Sequence, residues 1–353
     1  MSRPGNGLLP APPKQETYVL IAQNIMVAYD AHKSMASSML YPIADRESPE
    51  VPKEDLLKME EDAAKIIRKL NPALTNINPI FVPEFPLGSS LDDVSSAERS
   101  LAEICLNAGG GTDAADANSW FYVLFGFAAT LDVPGSGPVN LLIYRGTATR
   151  REALVDITGW GSNEACMLPT TQSTQEKYGK VQSTLFSFYK DAWKFGLGTP
   201  LSKSTANAVK NVINSSPSLT PWFAGAHSLG GAALNLAILD ILAAKMLTTS
   251  EILPLTFGGL VVGDTDFKKA YEATSTNSVR IVNMCDFVPA FCDIFQQDGP
   301  TVYAQVGTPM GFVWQNGETW KNHSMKDIYL RMVATSDYFK LISMFPKAFP
   351  VGM

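Results

Sequence analysis

The chain has 353 residues, 46% hydrophobic and 18% charged, which is enough for a sizeable core in one large or two ordinary domains and excludes a disordered chain. A net charge of -6 without any concentrated basic tract excludes a nucleic-acid footprint. No apolar run reaches the roughly 18 residues of a membrane span, because Asn235 and Asp240 interrupt the longest candidate, so no transmembrane segment is expected.

Residues 1–15 are Pro- and Gly-rich and lack the apolar core of a secretory signal. They read as a flexible arm, and the protein is expected to be cytoplasmic or exported by a non-classical route. Between Glu16 and Leu40, Val19, Leu20, Ile25, Met26 and Met35 recur near helical spacing and predict a first helix, carrying His32, that packs across a sheet. Lys53 to Leu70 predicts a second helix with Leu56, Met59, Ala63, Ile66, Ile67 and Leu70 opposite a solvated charged face. Asn71 to Ser90 is Pro-rich and reads as irregular, yet Ile80, Phe81, Val82, Phe85 and Leu87 make it too apolar for an exposed linker. It is expected to wrap the body or roof a pocket.

Ser95 to Leu106 predicts a third helix, stopped at Gly109-Gly110-Gly111. Trp120 to Leu131 and Val139 to Tyr144, rich in β-branched and aromatic residues, predict two neighbouring strands across the turn Pro134 to Pro138. The second strand ends in Arg145-Gly146-Thr147, a loop that could aim the Thr147 backbone N–H at a reacting carbonyl oxygen. From Glu152 to Pro169, Leu154, Val155, Ile157, Trp160 and Met167 alternate with polar residues, as in a mobile cover. Helices over Gln175 to Lys194 and Ser204 to Ile213 lead to the central stretch, and beyond it come a strand Leu253 to Val262, a helix Asp264 to Ala273 and a strand Ser278 to Met284. That order argues an α/β fold, a mainly parallel central sheet with helices on both faces.

The central stretch runs from Trp222 to Leu239. A short apolar run enters Ala226-His227-Ser228-Leu229-Gly230-Gly231, and Leu234, Ala237, Ile238, Ile241 and Leu242 follow at helical spacing. Strand, sharp turn and helix make a nucleophile elbow, with Ala226 where the usual G-x-S-x-G has its first glycine. Ser228 is the candidate nucleophile. Leu229, at the amino end of the helix, offers its N–H and the positive helix end to an oxyanion.

A serine nucleophile needs a base, and only three histidines are available. His227 is adjacent to Ser228 and points away, and His32 precedes the serine on the first helix, against the Ser, acid, His order of such folds. His323 remains, on a loop between the strand-like Gly311 to Gln315 and a helix Ser324 to Val333. The orienting carboxylate belongs between them, and Asp286, directly after a strand, fits best. Asp264 and Asp266 read as a helix cap and first turn, and Asp293 and Asp298 are the fallbacks. Four cysteines, Cys105, Cys166, Cys285 and Cys292, show no CxxC spacing, which argues against a metal site and for free thiols. A Cys285 to Cys292 bridge stays open in an oxidising compartment.

These segments together resemble the lipase class 3 family, the fungal-type triacylglycerol lipases and their bacterial relatives, across Tyr122 to Leu330. His227-Ser228-Leu229-Gly230-Gly231-Ala232 is similar to its G-H-S-L-G-G-A, and Tyr144-Arg145-Gly146-Thr147 to its F-R-G-T, whose last residue supplies the oxyanion hole. Thr256-Phe257-Gly258 with Val262-Gly263-Asp264 and Phe267 resembles T-F-G-x-P-R-V-G-x-x-x-F, although Gly259-Leu260-Val261 lacks the Pro-Arg. Arg280-Ile281-Val282-Asn283 with Asp286, Val288 and Pro289 resembles R-x-V-N-x-x-D-x-V-P, which carries the catalytic aspartate, and His323-Ser324-Met325 with Tyr329-Leu330 resembles the histidine segment.

The resemblance implies a single α/β-hydrolase domain over residues 16–353 and ester hydrolysis without cofactor or metal. It also implies a lipid ester substrate met at a lipid–water interface, often under a lid. The tryptophan that commonly follows the RGT segment is replaced here by Arg151-Glu152-Ala153-Leu154. Catalytic Ser228, Asp286 and His323, with Thr147 and Leu229 in the oxyanion hole, would then act through an acyl-enzyme. Triacylglycerol lipase activity is the expectation. Phospholipase or soluble-ester carboxylesterase activity on the same triad and a non-catalytic lipid-binding scaffold are the alternatives.

Overall fold

The computed structural model describes residues 14–36, 53–84, 121–149, 152, 163–169, 178–191, 199–290, 302–318 and 320–335. The helix expected over 95–106, residues 1–13 of the expected arm and residues 153–162 of the cover expected over 152–169 lie outside the described residues; of the rest, Gln15 already opens a helix, Asn163–Ala165 is a strand, and Cys166 and Leu168 are buried in the core rather than in a mobile cover.

A seven-stranded sheet organises the chain, in the order β1 (Leu74–Glu84), β2 (Phe121–Val133), β3 (Gly137–Tyr144), β6 (Trp222–His227), β7 (Ile252–Phe257), β9 (Val279–Asn283) and β11 (Thr308–Phe312). From β3 to β11 the strands are parallel. Strands β1 and β2 extend the β3 edge antiparallel. A four-stranded sheet lies apart, pairing β10 (Tyr303–Ala304), β8 (Gly263–Asp264), β5 (Lys180–Gln182) and β4 (Asn163–Ala165).

The parallel strands are apolar without alternation because both faces of the sheet are covered. Along β3, Leu142 and Tyr144 enter one core, and Leu141 and Ile143 enter the other. The first core joins the sheet to α3 (Ser183–Lys190), α4 (Leu201–Ser215), α5 (Leu229–Ala243) and α6 (Thr265–Thr274). The second joins it to α1 (Gln15–Ala36) and α2 (Lys53–Leu70), and to a π-helical turn Met325–Leu330 that continues into α7 (Arg331–Ala334). Every residue of α5 from Leu229 to Leu242 is buried. A helix apolar on nearly every face, with Asn235 and Asp240 its polar exceptions, belongs inside a molecule, and each fully buried Leu or Ile on it stabilises by about 1.5–3 kcal/mol.

Several elements depart from the expectation. The Pro-rich segment is not irregular over its described part: Leu74–Glu84 is an 11-residue strand paired with β2. It lies at the edge of the sheet, where Pro79 and Pro83 can lack an N–H without breaking a ladder. The helix expected from Gln175 starts only at Ser183, after β5, and the Gln182 side chain caps it by accepting from Leu185 N–H. Gly179, at φ 71°, turns the chain against α6 at a point where a side chain would strike the Phe267 backbone. Strand β7 stops at Phe257 rather than Val262 because Gly258 turns left-handed at φ 55°. The last strand is Thr308–Phe312, displaced from Gly311 to Gln315, and the helix after His323 opens as a π-helical turn. Cys166 and Cys285 are free thiols, and burial pushes the Cys166 pKa up to about 12.

Candidate active site

Ser228 lies between β6 and α5 at φ 55° and ψ -128°. Such backbone costs a non-glycine residue on the order of 1–3 kcal/mol and persists only where the surroundings hold it. The Ser228 N–H donates to the Phe257 carbonyl at 3.1 Å, and its own carbonyl accepts from Gly231 N–H at 2.8 Å. The tight approach is at Gly230, where a Cβ would run into the Arg145 carbonyl oxygen, and at Gly231, where it would lie 2.8 Å from the Gly259 Cα. Ala226, by contrast, buries its methyl in the core shared with α5. The missing first glycine is therefore accommodated.

The structure brings Ser228, Asp286 and His323 together. Ser228 Oγ and His323 Nε2 are 2.7 Å apart, and His323 Nδ1 and Asp286 Oδ2 are also 2.7 Å apart. Asp286 follows β9 in a turn, and His323 ends a short 3-10 turn from Trp320. All three side chains are buried. A serine facing Nε2 and a carboxylate facing Nδ1 dictate one tautomer, with the proton on Nδ1 and the Nε2 lone pair toward the hydroxyl. The Asp286 carboxylate is held further by Val288 N–H, which donates to Oδ1 at 3.0 Å, and by the Tyr329 hydroxyl, which donates to Oδ2 at 2.6 Å. Gly258 must be glycine, since a Cβ would lie 2.7 Å from the Tyr329 hydroxyl and 2.9 Å from Asp286 Oδ2.

The other predicted positions surround the serine. Leu229 is the first residue of α5, where an N–H has no carbonyl one turn back to bond. The Arg145-Gly146-Thr147 loop presses on the elbow: a Cβ at Gly146 would lie 2.7 Å from Ser228 Cβ and 2.9 Å from the His227 carbonyl oxygen. Of the acids set aside, Asp264 caps α6, accepting from Asp266 and Phe267 N–H. Asp293 and Asp298 lie outside the described residues.

Residues to which the sequence assigned no supporting role hold these groups. Arg145 is fully buried, donating from Nε to the Leu124 carbonyl at 2.8 Å and from both Nη atoms to Glu152 at 2.7 and 2.9 Å. Glu152 also accepts from Ala148 and Thr149 N–H, so one ion pair shapes the loop around Thr147. The spacing R-G-T followed five residues later by a carboxylate was the available clue. His32 lies against Arg145, and burial first, then that guanidinium and Lys33, hold its pKa well below the ordinary value. It stays neutral. His227 turns away from the Ser228 hydroxyl: its Nδ1 is 2.8 Å from the Tyr29 hydroxyl and its Nε2 is 2.9 Å from the His323 carbonyl oxygen. Burial, reinforced by neighbouring His323, keeps its pKa well below the usual value.

Among the described residues no cluster of His, Cys, Asp and Glu could hold a metal ion, and no helix is long and apolar enough to cross a membrane. A cavity of about 140 Å³ between α2, β1 and α4 shares no residue with the site.

The sequence matches the family Lipase (class 3) over residues 141–295. That stretch holds the elbow and Asp286 but neither α1 nor His323. Comparison with curated proteins gives no match. In structure the chain is similar to a lipase from Rhizopus microsporus var. chinensis, with 17% identity and a TM-score of 0.42 over 81% of this chain and 75% of that one. It is also similar to the Lip2 lipase of Yarrowia lipolytica, with 18% identity and a TM-score of 0.40 over 53% of this chain and 61% of that one. A triacylglycerol lipase from Penicillium expansum gives 16% identity and a TM-score of 0.41 over 62% of this chain and 80% of that one. The chain thus spans 61% of the length of the Yarrowia enzyme.

Proposed function

We propose, from the match of residues 141–295 to the class 3 lipase family, that the chain hydrolyses carboxylic esters of lipids through a serine acyl-enzyme, with triacylglycerol as the substrate. One α/β-hydrolase domain over residues 16–353 carries the activity. The observation behind this reading is the continuous line of hydrogen bonds from Ser228 Oγ through His323 to Asp286 on a strained elbow.

His323 Nε2 takes the Ser228 proton as Oγ attacks the ester carbonyl, and Asp286 steadies the imidazolium. The alcohol leaves with that proton, and water repeats the sequence on the acyl-enzyme. Backbone N–H groups of Leu229 and Thr147 receive the oxyanion, and losing one such donor costs about 10²–10³ in turnover. Every step is proton transfer and acyl transfer, so no cofactor or metal is called on. Support for a lipid rather than a small soluble ester comes from exposed Met284, Val313 and Trp314, at the carboxyl ends of β9 and β11 beside the triad.

The test compares p-nitrophenyl butyrate, emulsified triolein and phospholipid as substrates for the wild type and Ser228→Ala, with fluorophosphonate labelling of the serine. Hydrolysis of triolein that falls by about 10⁶ in the variant is expected. Turnover of the soluble ester alone or of phospholipid would redirect the substrate assignment, and an unlabelled Ser228 would leave a non-catalytic scaffold.

A further inference from the structure

The elbow histidine and the first helix are joined to the site by a chain of hydrogen bonds whose direction is determined by its ends. The His323 carbonyl oxygen can only accept, so His227 Nε2, 2.9 Å away, carries the ring proton. His227 Nδ1 is then bare and accepts from the Tyr29 hydroxyl at 2.8 Å. The Tyr29 oxygen in turn accepts from Gly146 N–H at 2.8 Å. One line thus runs from the backbone beside Thr147, through Tyr29 and His227, to the backbone of His323.

We infer that Tyr29 is a positioning residue that sets the oxyanion donor at Thr147 and the base His323 in register across Ser228, resting on the serine-hydrolase reading above. Thr147 and His323 arrive on segments far apart in the chain, and both must serve one ester carbonyl, His323 through Ser228 Oγ as it attacks the carbon and Thr147 through an N–H to the oxygen. A displacement of about 1 Å at such a site costs on the order of a hundredfold in rate. The hydroxyl of Tyr29 is bonded toward both halves at once, and it is buried, as are His227 and His323. The rings of His227 and His323 also lie against each other in a tilted arrangement, with centroids 4.5 Å apart and planes 31° apart. A charged His227 would repel the imidazolium that forms on His323, and its burial keeps it neutral. Glycine is required at 146 because a Cβ there would collide with the Tyr29 hydroxyl. Tyr29 lies on α1, outside the family-matched residues 141–295, so the match does not contain this part of the site.

The test measures p-nitrophenyl butyrate turnover per active site, counted by stoichiometric release from a p-nitrophenyl phosphonate that labels Ser228, so that unfolded protein is not scored. Tyr29→Phe keeps the ring, and it should lose about tenfold in kcat per titrated site with KM unchanged within about twofold. His227→Gln supplies an amide N–H for the His323 carbonyl and an oxygen for Tyr29, and it should retain several times the kcat of His227→Leu. Because Tyr29→Phe and His227→Leu break one line, the double variant should be no slower than the slower single variant. Tyr29→Phe within twofold of wild type, equal turnover of the Gln and Leu variants, or losses that multiply in the double variant would each overturn the inference. If Tyr29→Phe does not fold, the Gln and Leu pair decides alone. Failure of the phosphonate to label Ser228 in the wild type would instead remove the serine-hydrolase reading on which the inference rests.

Discussion

The carboxamide of Asn283 donates to the Asn322 carbonyl at 3.1 Å, and the carboxamide of Asn322 donates to the Cys285 carbonyl at 3.1 Å. The turn carrying Asp286 and the loop carrying His323 are thereby joined by reciprocal bonds from residues adjacent to each. Asn283 also receives Trp314 N–H at 2.9 Å, and Asn322 receives Asn316 N–H at 2.7 Å. Both side chains are buried, and their amides satisfy backbone groups of the two segments from the inner side.

Asn322→Ala removes donors and an acceptor together. The Cys285 carbonyl and the Asn316 N–H lose this partner, and because both bonds are only partly buried each loss costs about 0.5–1.5 kcal/mol. A fall in Tm of several degrees is expected by calorimetry, with a lower kcat because Asp286 and His323 lose their mutual register. An unchanged Tm would show that the clasp contributes nothing.

Asp286 Oδ2 accepts from His323 Nδ1 and from the Tyr329 hydroxyl, and Tyr329→Phe removes the second donor together with the oxygen that accepts from the Asn283 N–H at 3.3 Å. Hydrogen bonds to a charged group contribute about 1.5–3 kcal/mol, so stability should fall by that order. Turnover should drop severalfold, far short of the roughly 10⁴ that Asp286→Asn is expected to cost by presenting the wrong imidazole tautomer. Equal losses in the two variants would contradict this division of roles.

Glu152→Ala leaves the guanidinium of Arg145 without its counter-charge in a fully buried site. Breaking a buried pair from one side costs about 3–5 kcal/mol, and replacing both partners by apolar residues of similar volume is often neutral. Urea denaturation should therefore place Glu152→Ala well below Arg145→Met with Glu152→Leu. The double variant should also lose turnover, since Glu152 holds the Ala148 and Thr149 N–H groups next to Thr147.

The pH dependence of stability follows from His32 and His227, whose folded pKa values lie well below the ordinary histidine value. In the unfolded chain both bind a proton near pH 6.5, and in the folded chain they do not. Stability is therefore fully present above about pH 6.5 and is lost as pH falls from there toward the folded values, by up to about 1.4 kcal/mol per pH unit for each group. His32→Gln should flatten the fall between pH 6.5 and 5 by about one proton's worth, read from urea midpoints at each pH. A slope equal to wild type would mean that His32 is not kept neutral by the fold.

Much of the candidate site was legible because its signals are local or ordinal. The strained turn needs small residues at set offsets from Ser228, and the acid and base must follow the serine in order, which leaves His323 and, among several late acids, favours Asp286 directly after its strand. The alternation of helix and strand around them likewise implied a parallel sheet, because an apolar run such as Val139 to Tyr144 must be covered on both faces. Pro79 and Pro83 misled for the same reason, since propensity is local and the edge of a sheet is not.

What the tertiary structure alone decided is how these groups are held. Tyr29 meets His227 across 198 residues of sequence, Asn283 meets Asn322 across 39, and Tyr329 reaches Asp286 across 43. A buried tyrosine or asparagine has the same local spacing whether it braces a reacting group or fills a core. Its role depends on which unsatisfied N–H or carbonyl the folded chain places beside it, and only long-range packing makes that pairing.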